Sequence, residues 1–116
     1  MGEKVLLFEP DLLFSSRIES VASRFQLEVK VTVTVDELRR AVQESVPKVL
    51  LVDLDALPGS VSLSELAHGR CKVVGYYSHA DSKLAARASA NGFETVIPRR
   101  SFMEQLNKVL AEIASG

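Results

Sequence analysis

A chain of 116 residues matches one ordinary domain and is too short for two. Its apolar fraction of 47% supports a real core, and its charged fraction of 25% is the usual share for a globular chain. The net charge is −1 and the basic residues are scattered, which argues against nucleic-acid binding by this domain, since that needs a basic face. The only cysteine is Cys71, so an internal disulfide and a zinc motif are both excluded. No apolar run is long enough to cross a membrane, and the first residues lack a signal-peptide pattern. A cytoplasmic protein with no membrane partner is therefore expected. Without linkers, repeats or low-complexity tracts, residues 1–116 read as a single domain.

The stretch from Lys4 to Phe8 is short and apolar, as expected of a buried parallel strand covered on both faces. Phe14, Ile18, Val21, Ala22 and Phe25 then repeat with helical spacing. Leu27 to Val33 is β-branched, with Val29, Val31 and Val33 on one side. Leu38, Ala41 and Val42 form a second helical stripe, opened by Thr34 and Glu37 at capping-box spacing. Val49 to Val52 is a third strand. Ser62 and Glu65 have the same capping spacing but open only a short helix, about Leu63 to Ala67. Val73 to Tyr77 is a fourth strand. Leu84, Ala85 and Ala88 mark a fourth helix, ended by Asn91-Gly92. Glu94 to Pro98 is a weaker fifth strand. The last helix carries Phe102, Leu106, Val109, Leu110 and Ile113, with Ser101 and Glu104 as its expected capping pair. Strands alternating with helices predict an α/β fold: a doubly wound, five-stranded parallel sheet with right-handed crossovers.

In such sheets ligands gather at the carboxyl ends of the strands. Glu9-Pro10-Asp11 follows strand one, and Asp53-Leu54-Asp55 follows strand three. If these strands are neighbours, up to four carboxylates face one crevice, and hard oxygen ligands suit Mg²⁺. Asp11 can equally cap the first helix, and Asp55 can begin a turn. After strand four, Ser78 is either a hydroxyl facing the crevice or a helix cap. His79 is titratable there, though a lone loop histidine is usually solvated, and His68 carries no signal. After strand five, Arg99 or Arg100 can reach the crevice and neutralise Asp53, or both are solvated charges at a helix start. Cys71 and Tyr76 are expected to serve packing.

Taken together, these stretches resemble the receiver domain of two-component response regulators, the CheY-like, flavodoxin-type fold. The resemblance rests on Val5-Leu6-Leu7-Phe8-Glu9-Pro10-Asp11, on Pro47-Lys48-Val49-Leu50-Leu51-Val52-Asp53, and on Ala90-Asn91-Gly92-Phe93 through Arg99, which is similar to the family's Ala-Gly-Ala to Lys-Pro segment. It implies strand order 2-1-3-4-5, with Asp53 where the family accepts a phosphoryl group from a histidine kinase. Glu9, Asp11 and Asp53 would then surround Mg²⁺, with Asp55 in the same acidic pocket. It implies a switch hydroxyl position at Tyr77 or, with a loop one residue shorter, at Ser78. It also implies that the face made by the fourth helix, fifth strand and fifth helix binds partners, with Arg87, Phe93, Arg99, Arg100 and Phe102 in or beside it.

The departures are specific. Pro10 stands where the family has its second acidic residue. Arg99 stands in place of the lysine, and arginine is not an equivalent replacement. Val96 replaces the aromatic of strand five. These changes predict a degenerate pseudo-receiver that binds a protein partner, a histidine kinase or downstream signalling protein, with Asp53 phosphorylation impaired or absent. Homodimer formation through the same face is a further expectation. The chain is expected not to be an enzyme and to carry no cofactor unless it is competent for phosphorylation. A single-domain regulator phosphorylated at Asp53 with Mg²⁺ is the alternative. The third reading is a small-ligand binder or enzyme on the same fold, against which Glu9-Pro10-Asp11 stands where a Gly-rich phosphate loop would be needed.

Overall fold

The computed structural model describes residues 3–44, 47–58, 71–78, 82–93 and 95–115. In chain order these form β1 (Glu3–Phe8), α1 (Leu12–Arg24), β2 (Leu27–Thr32), α2 (Val35–Glu44), β3 (Val49–Asp53), a 3-10 turn (Leu54–Ala56), β4 (Lys72–Tyr77), α3 (Ser82–Ala90), β5 (Thr95–Pro98), α4 (Arg99–Glu104) and α5 (Leu106–Ser115). The five strands are parallel, as their alternation with helices predicts, and lie in the order β2-β1-β3-β4-β5 that the resemblance implies. The short helix expected at Leu63 to Ala67, with its pair Ser62 and Glu65, lies outside the described residues, as do His68 and His79.

Side chains alternate across the sheet because the strand repeat is two residues. Val5 and Leu7, Val49 and Leu51, and Val74 and Tyr76 face one way, where they meet Ile18 and Ala22 of α1 and Leu106, Leu110 and Ile113 of α5. Leu6 and Phe8, Leu50 and Val52, and Val73 face the other way, against Leu38 and Ala41 of α2, Ala88 of α3, and Phe93. β3 is buried at every position, which explains its unbroken apolar sequence. Each fully buried Leu, Val or Ile contributes about 1.5–3 kcal/mol, so these two layers dominate the stability.

The helix ends follow local chemistry. Asp11 caps α1, its Oδ1 accepting from Leu13 N–H at 3.0 Å and Phe14 N–H at 3.4 Å. The Thr34–Glu37 capping box forms in both directions: Thr34 Oγ1 accepts from Glu37 N–H at 3.1 Å, and Glu37 Oε1 accepts from Thr34 N–H at 3.1 Å. After α3, Gly92 takes φ 94°, the left-handed turn that glycine adopts without strain. The Ser101–Glu104 pair does not form a cap. The helix begins earlier, at Arg99 directly after Pro98, and Glu104 Oε1 accepts instead from Arg100 Nε at 3.3 Å. The expected single final helix is two segments, meeting at Gln105, whose φ of −104° and ψ of 13° end α4.

Candidate functional site

The alternation that builds the α1/α5 layer also builds the site. Continuing Val5-Leu7 brings Glu9 to the same side, continuing Val49-Leu51 brings Asp53, and continuing Ile97, which packs on that layer, brings Arg99. Tyr76 pairs in register with Asp53 across β3 and β4. Four polar groups therefore meet at the carboxyl ends of β1, β3, β4 and β5. Glu9 is positioned through its backbone, its N–H donating to Thr32 O of β2 at 3.0 Å.

Arg99 is the centre of the cluster. Its Nη2 lies 3.1 Å from Glu9 Oε1, and its Nη1 lies 3.2 Å from Asp53 Oδ2. Asp11 Oδ2 is further off, 3.9 Å from Nη2. The Arg99 guanidinium also sits 3.7 Å from the centre of the Phe14 ring. Phe14, Tyr76 and Phe102 pack together beneath it, with Tyr76 and Phe102 stacked at 4.6 Å between centroids.

Both buried carboxylates are fully engaged. Glu9 is 1% exposed; its Oε1 accepts from the Tyr76 hydroxyl at 2.8 Å and forms an ion pair with Arg99, and its Oε2 accepts from Asp11 N–H at 3.0 Å. Asp53 is 5% exposed; its Oδ1 accepts from Asp55 N–H at 3.1 Å and so caps the 3-10 turn. Burial pushes the Glu9 carboxyl upward from its ordinary value, and the nearby Asp53 charge adds to the rise. The hydrogen bonds from Asp11 and Tyr76 and the Arg99 charge pull it back without cancelling it. Burial, then the Glu9 charge, pushes the Tyr76 phenol far upward, so it remains a hydrogen-bond donor to Glu9.

Of the remaining candidates, Asp55 and Ser78 form a separate pair. Asp55 Oδ2 accepts from the Ser78 hydroxyl at 2.7 Å and from its N–H, tying the end of β3 to the end of β4. The hydroxyl thus faces Asp55. Tyr77 is half-buried and packs on the α2/α3 layer. Arg100 is exposed and pairs with Glu104, away from the carboxylates. A shallow cavity of about 380 Å³ opens beside Arg99, lined by Phe14, Tyr77, Ser78 and Met103 among others.

The predicted Mg²⁺ set of Glu9, Asp11 and Asp53 does not suit a cation in this arrangement. One Asp11 oxygen is committed to the helix cap, the inward oxygens of Glu9 and Asp53 face a guanidinium, and among the described residues no three acidic, His or Cys side chains converge as a metal site. Two participants escaped the sequence reading. Tyr76 was expected only to pack, and Phe14 was expected only as part of a helical stripe. The alternation of β4 carried the signal for Tyr76, because Val74 and Tyr76 share a face while Tyr77 lies on the other.

No family model and no curated protein matches the sequence. Solved structures do match. A response regulator from Thermotoga maritima superposes with a TM-score of 0.79 at 15% identity, over 100% of each chain. The receiver domain of a sensor histidine kinase from Pseudomonas aeruginosa PAO1, which holds a magnesium ion in its active-site cleft, gives 0.79 at 15% identity, also over 100% of each. A CheY-like receiver-domain protein from Methanospirillum hungatei gives 0.77 at 15% identity, over 99% of this chain and 98% of that one. The chain has the receiver-domain fold.

Proposed function

We propose that this chain is a receiver-like signalling module of a two-component or phosphorelay-type system, that it acts by binding another protein, and that Asp53 is a poor phospho-acceptor. The observation that carries the reading is the Arg99 guanidinium spanning Glu9 and Asp53 at 3.1 and 3.2 Å. Phosphoryl transfer to a carboxylate needs a free oxygen nucleophile and a cation aimed at charge that develops later. Here the nucleophile's oxygens already accept hydrogen bonds from Arg99 and Asp55. Together with Pro10 in place of a second acidic residue, this supports impaired phosphorylation.

Binding is supported by the surface. The largest exposed apolar side chains among the described residues are Leu12, 64% exposed, and Leu13, 86% exposed, at the first turn of α1 beside the pocket. Exposed leucines paired in this way suit a protein partner. We infer a histidine kinase or a downstream signalling protein as that partner, in the cytoplasm, with no catalytic activity in the module itself. A second copy of the chain, docked through α3, β5 and the α4–α5 segment, is the other partner we consider. That face presents Arg87 and Arg100, whereas Phe93 and Phe102 are 4% and 0% exposed and belong to the core.

One observation favours the alternative of a working acceptor: Arg99 places a positive charge beside Asp53, where a phosphoryl group would also need one. Intact-mass measurement after incubation with acetyl phosphate and Mg²⁺, with Asp53→Asn as control, separates the two. The reading predicts no adduct on either protein. An adduct on the wild type that is absent from Asp53→Asn sinks it.

A further inference from the structure

We infer that Arg99 is the pocket's resident cation: its guanidinium holds the place between Glu9 and Asp53 that a divalent cation would take, so the native chain is indifferent to Mg²⁺ and acquires a Mg²⁺ response only when Arg99 is removed. The inference rests on the reading of the pocket under Proposed function and deepens it. Three features of the site carry it. Two carboxylates, 1% and 5% exposed, need a positive partner, because ionised groups out of water are costly unless paired. One guanidinium supplies that partner to both, through separate nitrogens. Arginine's planar guanidinium presents its donors in a fixed fork, so one side chain can face two carboxylates at once.

The cation is also fixed in place. The Phe14 ring lies 3.7 Å beneath it, backed by Tyr76 and Phe102. Its backbone is fixed by β5, which ends at Pro98 and turns at once into α4. No acidic residue stands in the first turn of α4, so an arginine there opposes the helix dipole and gains nothing locally. Its position is explained by the carboxylates across the sheet. A divalent cation entering this site must displace the guanidinium from two ion pairs and from an aromatic ring. Without Arg99 the same two carboxylates, with Asp11 at the rim, lie open to one.

The test compares wild type with Arg99→Ala in thermal melts, with EDTA and then with millimolar Mg²⁺. It is joined by Tb³⁺ luminescence, which Tyr76 sensitises if the ion sits beside Glu9. The expected result is a wild-type midpoint that Mg²⁺ leaves unchanged and no Tb³⁺ signal. Arg99→Ala is expected to melt lower in EDTA, to recover part of the loss in Mg²⁺, and to show Tb³⁺ emission that Mg²⁺ competes away. Adding Asp53→Asn to Arg99→Ala is expected to abolish that response. Arg99→Gln serves the same comparison if the alanine variant does not fold. A wild type stabilised by Mg²⁺ overturns the inference, as does a variant without any metal response or a response that survives Asp53→Asn. Mg²⁺ binding to a wild type that takes no phosphoryl adduct overturns only this inference. An adduct on Asp53 overturns the reading beneath it.

Discussion

The two faces of the sheet are built from the same strands and end differently. On the α2/α3 side the alternation runs through Leu6-Phe8 and Leu50-Val52, and packing continues into Leu54 and Phe93, all apolar. On the α1/α5 side it runs through Val5-Leu7 and Val49-Leu51 and then ends in Glu9 and Asp53, with Arg99 arriving from β5. One face is a core alone. The other is a core whose upper end is an ion cluster, and the Phe14, Tyr76 and Phe102 rings belong to both parts. Packing and charge are therefore one unit on the α1/α5 side and separate matters on the other.

The largest expected break in that unity comes from Phe102→Ala. Phe102 is fully buried, and its loss is expected to cost about 3–5 kcal/mol, read as a lower urea midpoint. Leu50→Ala, equally buried on the other face, is expected to cost about 2–5 kcal/mol. Only Phe102→Ala is expected to alter the near-ultraviolet signal of Tyr76, because only Phe102 stacks on it. Equal changes in that signal from both variants would dissolve the distinction between the faces.

Gly75→Ala probes the apolar face by overfilling it. An added Cβ would lie 2.8 Å from Leu54 Cδ1 and 3.0 Å from Phe93 Cδ2. The expected cost is about 1–3 kcal/mol, with the Arg99 cluster unaffected. A smaller effect is expected from Tyr76→Phe, which keeps the ring stack and removes the hydroxyl that Glu9 Oε1 accepts from. Losing that one hydrogen bond is expected to cost about 1–2 kcal/mol. No loss would mean that Arg99 alone satisfies the oxygen.

The smallest expected effect is a slope. Glu9 titrates in the folded protein above its ordinary value of 4.5. The folded state then holds its proton more tightly than the unfolded state does. Glu9's contribution to stability is thus fully present below pH 4.5 and is lost as pH rises through the raised value. Glu9→Gln is expected to remove that decline, so denaturation measured across acidic pH would show a flatter profile than wild type. An unchanged profile would mean that Glu9 is not held at a raised value.

Much of the fold was legible because each strand is a short apolar run and each helix an amphipathic stripe. The Thr34–Glu37 box and the Asn91-Gly92 turn were legible as local chemistry. The Ser101–Glu104 box was misleading for a local reason: Pro98 already fixes the turn into the helix, so the helix starts at Arg99 and Glu104 is taken up by Arg100. At the site, Glu9, Asp53 and Arg99 could be named from strand ends, and neutralisation of Asp53 by Arg99 or Arg100 was one of two readings; that Arg99 is the one, and that it also pairs with Glu9, depends on side-chain reach that spacing does not encode. Asp11 was open between cap and ligand, and its Oδ1 is committed to the cap. Asp55 and Ser78 pair with each other, a contact between the turn after β3 and the end of β4 that neither local stretch announces. Tyr76 was the avoidable omission, since the alternation of β4 already separates it from Tyr77.

The central claim is that Arg99, and no metal ion, neutralises the carboxylates at the end of this sheet. A crystal structure grown in excess MgCl₂ tests it most directly. The guanidinium is expected between Glu9 and Asp53, over the Phe14 ring, with no Mg²⁺ bound to either carboxylate. A Mg²⁺ ion coordinated by Asp53, with Arg99 turned out towards solvent, would contradict it.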